Sequence, residues 1–508
     1  MYRKEEQPSP APENFELPFE GKLSPSNRWV IMAELIPWDD FEEEYAKLFS
    51  AEKGAPAKPF RMALGILIIK EKLGTSDRET IEQIRENPYL QYFIGLNCYQ
   101  QEPPVEASML VHFRKRIDVD LVNKINKEIV KKEKEKLDKE IKKKDLPQEK
   151  GKKLKNRGKL ILDETCAPAD IKYPTDLGIL NQARIETERI IDNLYKALRG
   201  KLRKKPRISR HIARKEYLKV AKKGKVSYQE RRKAIEKQLK YVKNNLGHIE
   251  DLNQAGASLK NLSKRQQNLL ETIKKVYKQQ RVMWENKTQS VPQRIVSLTQ
   301  PHIRPIVRGK AGKPIEFGAK LSVSCVDNYV FLDRISWENL NESCHLKEQV
   351  EKYREMFGYY PESVHVDKIY RTRENRNWCK ERGIRISGPK LGRPPKNVSE
   401  EEKKQARSDE SFRNAIEGKF GQAKSSFSLN LVMTKLPETS ETSIAITFLV
   451  VNLSRLLRQF LSLYLWLFIN IKTDELFNHN YINENYIYSK FIERKIINWQ
   501  GNYRLLAA

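Results

Sequence analysis

The 508-residue sequence is poor in cysteine: Cys98, Cys166, Cys325, Cys344 and Cys379 are scattered singly, and no two are spaced as C-x-x-C. That excludes a disulfide framework and zinc sites of the usual spacing, and it fits a reducing compartment. The sequence also lacks an uninterrupted apolar run of the roughly 18 residues that a membrane span needs. Its longest apolar stretch, residues 443–470, is broken by Asn452, Arg455, Arg458 and Gln459, and reads as one or two buried helices. The N-terminus has no apolar leader or cleavage site, so a cytoplasmic location is expected. Acid is in short supply, with 66 Asp and Glu against 96 Lys and Arg, which leaves a formal charge of +30. Such a field attracts polyanions, and nucleic acid is favoured over a membrane surface.

Hydrophobic residues make up 39% of the chain and charged residues 32%, enough for roughly three domains of ordinary size. Residues 1–23 are polar and proline-rich, a disordered leader. Residues 24–118 read as helical, the candidate DNA-binding domain. Inside them "GTSDRETIEQIRENPYLQYFIGL" has the outline of a helix-turn-helix, with Ser76 or Asp77 as N-cap and Pro88 opening the second helix. Residues 119–157 read as a charged helix and basic linker, a solvated spacer or a phosphate-tracking arm.

At Lys159 the pattern changes. "KLILDET" is a short apolar run ended by acids, as expected of a buried central strand reaching the edge of its sheet. Residues 181–291 then read as a helical insertion, with heptad-like spacing at Ile235, Leu239, Val242 and Leu246. Its basic run includes Lys204, Lys205, Arg207 and Arg210, which are candidates for phosphate contact. Strands resume with "EFGAKLSVSCV" and "YVFLDRISW" around a two-residue turn at Asp327-Asn328. A helix near 347–357, the strand "SVHVDK", the helix "RTRENRNWCKERG", the strand "IRISGP", a polar loop and a final helix complete residues 292–440. Residues 441–508 read as a C-terminal helical segment. Without the insertion, the order is strand, hairpin, helix, strand, helix, strand, helix, which predicts an α/β core with a mixed sheet at 158–180 and 292–440.

Asp163 is predicted to end the first strand and Asp367 to end "SVHVDK". If the two strands are parallel neighbours, both acids emerge at the carboxyl edge of the sheet, where such folds place their sites. In "FRNAIEGKFGQAK", Phe412, Ile416, Phe420, Ala423 and Phe427 make an apolar stripe roughly 80° wide, with Arg413, Glu417 and Lys424 in a second stripe beside it. Alone, Arg413 and Glu417 make an ordinary i,i+4 ion pair. Brought to the sheet edge, Glu417 becomes a third carboxylate, and three converging acids repel unless cations lie between them. Mg²⁺ bound by oxygen ligands meets that need, and two ions roughly 4 Å apart suit phosphodiester chemistry. Asp170 and Asp176 are further candidates. Glu164 is out of phase with Asp163, Asp327 belongs to its turn and Asp333 to its strand. His302 and His365 read as structural or substrate contacts.

The segments "LILDET", "VHVDKIYRTRENRNW" and "FRNAIEGKFGQAK" resemble those of bacterial insertion-sequence transposases of the DDE class. In that family Arg413, Glu417 and Lys424 fit a Tyr-Arg-Glu-Lys signature, with Glu410 where the Tyr stands. Lys368-Ile369-Tyr370 resembles the usual Lys-Gly-Tyr. The resemblance implies an RNase H-like catalytic domain, here with a helical insertion after its first strand and an all-helical N-terminal domain. It implies Asp163, Asp367 and Glu417 as catalytic metal ligands for Mg²⁺ or Mn²⁺, two ions in all. Arg413, Lys424, Lys368 and Tyr370 would contact DNA. The implied activity is binding of the element's terminal inverted repeats, metal-dependent cleavage and joining of the 3′-hydroxyl to target DNA, by a homodimer at the bacterial nucleoid. The alternatives are an RNase H-like endonuclease or resolvase without transfer, and a catalytically inactive DNA-binding regulator.

Overall fold

The computed structural model describes residues 14–17, 21–50, 56–142, 156–199, 202, 204–310, 313–338, 341–389 and 399–477. Most of the expected leader, the linker at 143–155, the polar loop at 390–398 and the end of the chain from 478 lie outside the described residues. The helices and strands are, in order, α1 (Arg28–Leu35), α2 (Trp38–Ala46), α3 (Phe60–Leu73), α4 (Asp77–Glu86), α5 (Pro88–Phe93), α6 (Met109–Arg116), α7 (Val119–Lys142), β1 (Lys159–Pro168), α8 (Asp176–Ala197), α9 (Arg210–Ala221), α10 (Tyr228–Gln254), α11 (Lys264–Glu285), β2 (Arg304–Lys310), β3 (Lys313–Val326), β4 (Tyr329–Ser336), α12 (Leu346–Phe357), β5 (Ser363–Val366), α13 (Arg373–Glu381), β6 (Arg385–Ile386), α14 (Glu400–Ser426) and α15 (Pro437–Phe477). They form two compact units.

The first unit comprises Met1–Ala167, Leu321–Ile335 and Asn341–Ala508. Its strands lie in the order β4-β3-β1-β5-β6. β5 runs parallel to both β1 and β6. β3 and β4 form the expected hairpin, and both turn residues, Asp327 (φ 50°) and Asn328 (φ 64°), take the left-handed conformation that such two-residue turns require. Buried Leu160, Leu162, Val364 and Val366 fill the sheet centre, as continuous apolar runs do in a sheet covered on both faces. β1 continues past Asp163 to Pro168, so Asp163 lies mid-strand and not at its end as predicted.

The N-terminal helices belong to this unit. α15 packs against α1, α3, α6 and α7. Over Pro437–Ser462 it is long and apolar enough to cross a membrane, yet 72% of its most apolar 18 residues are buried, which marks a core helix. α7 is no solvated spacer: Leu121, Val122, Ile125, Ile129 and Val130 are buried, a helical stripe turned to the core. In the predicted helix-turn-helix, Ser76 caps α4 by accepting the Glu79 N–H, and Pro88 opens α5 after an Asn87 cap. α5 has only 6 residues, however, and Leu90 to Phe93 are all buried. A helix that short and that covered cannot lie in a major groove, so it is no recognition helix.

The second unit comprises Pro168–Lys320 and Ser336–Leu340. It contains α8 to α11 and a strand unforeseen in the sequence, β2, which pairs antiparallel with the first half of β3. Leu239 and Val242 of α10 pack with Ile179, Leu180 and Ala183 of α8 and with Ile273 and Val276 of α11, so the heptad spacing served a four-helix unit where a helical hairpin was expected.

Candidate active site

The site follows from strand register. Lys159 to Leu162 pair in parallel with Ser363 to Val366. Asp163, mid-strand in β1, and Asp367, directly after the end of β5, are the next residues, so both carboxylates lie at the same level on neighbouring strands. Asp163 is half-buried and Asp367 exposed. Asp163 Oδ1 accepts the Glu164 N–H at 2.8 Å and Asp367 Oδ1 accepts the Lys368 N–H at 2.8 Å. The second oxygen of each carboxylate makes no hydrogen bond among the described residues.

α14 packs on β5 and brings Arg413 and Glu417 to these acids. A buried clamp holds it there. Asp409 receives Arg385 Nη1 and Nη2 at 2.7 and 2.8 Å and Gln405 at 2.9 Å, with His365 Nδ1 at 3.6 Å. Burial opposes the Asp409 charge, but the hydrogen bonds from Arg385 and Gln405 outweigh it and hold the carboxyl below its ordinary range. Burial lowers the His365 pKa despite Asp409, leaving a neutral imidazole against Ser363. One turn beyond Asp409, Phe412 meets the His365 ring at 5.5 Å and lies under Lys159 Nζ at 3.4 Å. Phe412 remains 36% exposed, unlike the buried Ile416, Phe420, Ala423 and Phe427 of the same stripe.

Burial pushes the Asp163 carboxyl up to about 6. The Glu164 N–H and Arg413 pull it down, and the charges of Glu342 and Glu417 add to the rise. Glu417 reaches Asp163 electrostatically while pairing with Arg413 at 3.3 Å, so the ordinary i,i+4 pair and the approach to the edge coexist. Among the described residues, no three His, Cys, Asp or Glu side chains are placed to hold one metal ion. The expected three-carboxylate cage is therefore not closed. The donor set still suits a hard divalent cation, because it offers carboxylate oxygens on adjacent strands, and Mg²⁺ commonly takes one or two carboxylates and completes its shell with water and substrate phosphate.

Three participants were missed in the sequence. Glu342, in the turn before α12, raises Asp163 by its charge, and only its distance in space, not its spacing, gives it this place. Arg371 donates Nη2 to the Val366 carbonyl at 2.7 Å. Burial lowers its pKa, the Asp367 charge opposes this, and Arg376 and Arg413 reinforce it. Its guanidinium fills the space where a Cβ on Gly388 would stand, and Gly388 has φ +97°. Asp409 is the third; its one legible sign was an acid on the otherwise apolar side of a helix.

Of the expected phosphate contacts, Lys368 is exposed beside Asp367 and Lys424 is half-buried on α14. Tyr370 is fully buried. Burial, then the charges of Glu164, Glu342, Asp163 and Asp333, keeps its hydroxyl protonated, so the side chain expected to touch DNA is enclosed by the fold. Glu164 is buried and accepts from Ser322 at 2.6 Å, and the half-buried Asp333 accepts from Gln349 at 2.7 Å. In the second unit, Asp176 is engaged by Arg294 at 2.6 Å and Gln280 at 2.8 Å, and His302 packs edge-on against Trp337. Lys205 and Arg210 pair with Asp192, Arg210 also with Glu188. All four expected phosphate contacts of this run, Lys204, Lys205, Arg207 and Arg210, are exposed.

Residues 364–454 match the family described as the transposase DDE domain, and residues 17–116 match one described as a transposase domain. The first match takes in Asp367, Asp409, Arg413 and Glu417 and stops short of Asp163. A Rhizobium meliloti protein described as uncharacterized protein ORF8 in the nfe locus is 37% identical over 95 residues. That alignment covers 19% of this chain and 45% of the relative. No solved structure matches the chain.

Proposed function

The two family matches support an insertion-sequence transposase of the DDE class, and from that premise we propose that the chain binds the terminal inverted repeats of its own element, cleaves the DNA there and joins the freed 3′-hydroxyl to target DNA. One observation carries the reading most: the parallel register that sets Asp163 and Asp367 side by side, with Arg413 and Glu417 facing them from α14. A hairpin on one side of β1 and parallel strands on the other supports the RNase H-like assignment of the sheet.

DDE transposases in general use divalent metal ions. Asp163, Asp367 and Glu417 would hold Mg²⁺ or Mn²⁺, which supplies charge neutralisation at the phosphate and a more acidic attacking hydroxyl when bound. The chain's own groups do the rest. Asp163, destabilised as a carboxylate by burial and neighbouring acids, has reason to accept a cation. Arg413 can leave Glu417 for a phosphate oxygen, since an exposed i,i+4 pair is worth only a few tenths of a kcal/mol. Lys368 and Lys424 add positive charge for the DNA backbone, and Arg371 fixes the chain at the end of β5. Duplex DNA and a second copy of the chain are the partners in this reading, and the nucleoid its location.

The test is incubation of the purified protein with a duplex carrying the element's end, a plasmid target and Mg²⁺. Cleaved and joined products are expected. Cleavage without joining would favour an endonuclease or resolvase, and binding without either an inactive regulator.

A further inference from the structure

Away from the acid edge, cations of the first unit gather without acids among them. Lys72 lies near the end of α3, Lys419 on α14, Arg455 and Arg458 on α15, and Arg28 at the start of α1. Ser454 ties two of them together: its hydroxyl accepts from Lys72 Nζ at 2.9 Å and its carbonyl from Arg458 Nε at 3.2 Å. Arg458 also donates to Gln422 at 3.4 Å. Arg455 lies over the Tyr329 ring at 4.7 Å, Lys72 over Phe427 at 5.7 Å and Arg28 over Trp29 at 5.8 Å. Each of these partners is neutral, and among the described residues none of the five cations pairs with a carboxylate.

The cluster works against the free protein. Burial, then Arg28 and Arg458, pushes the Lys72 ammonium down to about 8, and Lys419 stands three residues before Gln422, the Arg458 partner, on α14. Lys72, Lys419 and Arg455 are half-buried and Arg28 and Arg458 exposed; half-buried charges lose hydration, and like charges with no counter-charge repel one another. Elsewhere in the same unit the buried Arg114 has Asp77 beside it and the buried Lys70 has Glu71, while the buried Arg61 is held by the Tyr92 and Phe93 carbonyls. An arrangement that costs the free protein stability is retained where a ligand supplies the missing charge.

We propose that Lys72, Lys419, Arg455 and Arg458 form a phosphate-binding site that anchors the backbone of duplex DNA. This rests on the transposase reading for the identity of the polyanion. Lys419 lies two residues from Glu417, about 200° around α14, so the site faces away from the acid edge. The phosphates it holds are not the one that is cut. It therefore contributes affinity and leaves the chemical step untouched, a distinction that kinetics can read.

The experiment uses the full chain and a random-sequence duplex, with affinity measured across salt for the unmodified protein, Lys419→Gln and the double variant Lys72→Gln/Arg458→Gln. Each phosphate that a variant no longer neutralises should flatten the dependence of log K on log salt by about 0.9. Both variants should melt at or above the unmodified protein's temperature, because a repelling charge has gone. On the cleavable duplex, KM should rise with kcat unchanged. Unchanged salt slopes with normal melting would overturn the site, including the case in which inorganic phosphate stabilises the unmodified protein alone, which would mark a free-anion site, and the case of an acidic protein partner. If flattened slopes accompany a protein that never cleaves, the anchoring site stands and the transposase reading fails. Failure of the unmodified protein to bind duplex overturns both.

Discussion

Asp163 and Asp367 are the first residues past the last paired positions, Leu162 and Val366, of two parallel strands. That one step of register makes a sheet edge into a candidate catalytic edge, because it sets two carboxylates on neighbouring strands at the same level.

Asp163 should destabilise the free protein. Its carboxyl sits at about 6 against an ordinary 3.8, raised first by burial. The folded chain therefore holds this proton more tightly than the unfolded chain. The resulting stability is fully present below pH about 4 and is lost as the pH rises through about 6. Asp163→Asn removes the ionisation, so the variant should gain on the unmodified protein between pH 4 and 7, by on the order of 1–2 kcal/mol after allowance for partial exposure. Melting temperatures across that range check it, and equal curves at pH 7 would contradict it.

Asp409 positions α14. Truncation to Ala strips the Arg385, Gln405 and His365 contacts from a buried acid and should cost on the order of 2–4 kcal/mol. Asp409→Asn keeps hydrogen bonds but loses the charge, and should weaken cleavage with little loss of DNA binding. Exchanging the pair, Asp409→Arg with Arg385→Asp, should recover part of the stability; no recovery would show that packing, and not the ion pair, holds the helix.

Gly388 makes room for Arg371. At φ +97° a side chain is strained, and its Cβ would meet the guanidinium. Gly388→Ala should cost about 1–2 kcal/mol and displace Arg371 from the Val366 carbonyl. Melting and cleavage are expected to fall together, whereas Arg371→Lys should lower cleavage with a smaller change in melting.

In the second unit the basic run should divide by role. Arg210→Ala breaks contacts to Glu188 and Asp192 and should lower the melting temperature. Lys204→Ala and Arg207→Ala should leave melting within a degree or two and act, if anywhere, on the salt dependence of DNA binding.

The two acids and their strands were legible because a buried parallel strand is a short apolar run, and the residue ending its pairing is visible in order. The Asp327-Asn328 turn, the Ser76 cap and Pro88 were legible because local backbone chemistry dictates them. Tertiary packing was not. α7 carries so many charges that its buried stripe at Val122, Ile125 and Ile129 reads as solvated. Tyr370 sits in a motif that suggests contact with DNA, and only the fold shows it enclosed. Lys205 and Arg210 look like any basic run until Asp192 and Glu188 appear one helix away. Glu342 and Arg371 reach the edge through pairings no sequence spacing encodes.

The most direct test is strand joining by Glu417→Gln beside Asp163→Asn and Asp367→Asn, on a pre-cut terminal-repeat duplex with plasmid target and Mg²⁺. Each change keeps shape while removing one negative charge. Loss of joined product in all three, with duplex binding retained, is the expected result; full joining by Glu417→Gln would leave Glu417 as nothing more than the ion-pair partner of Arg413.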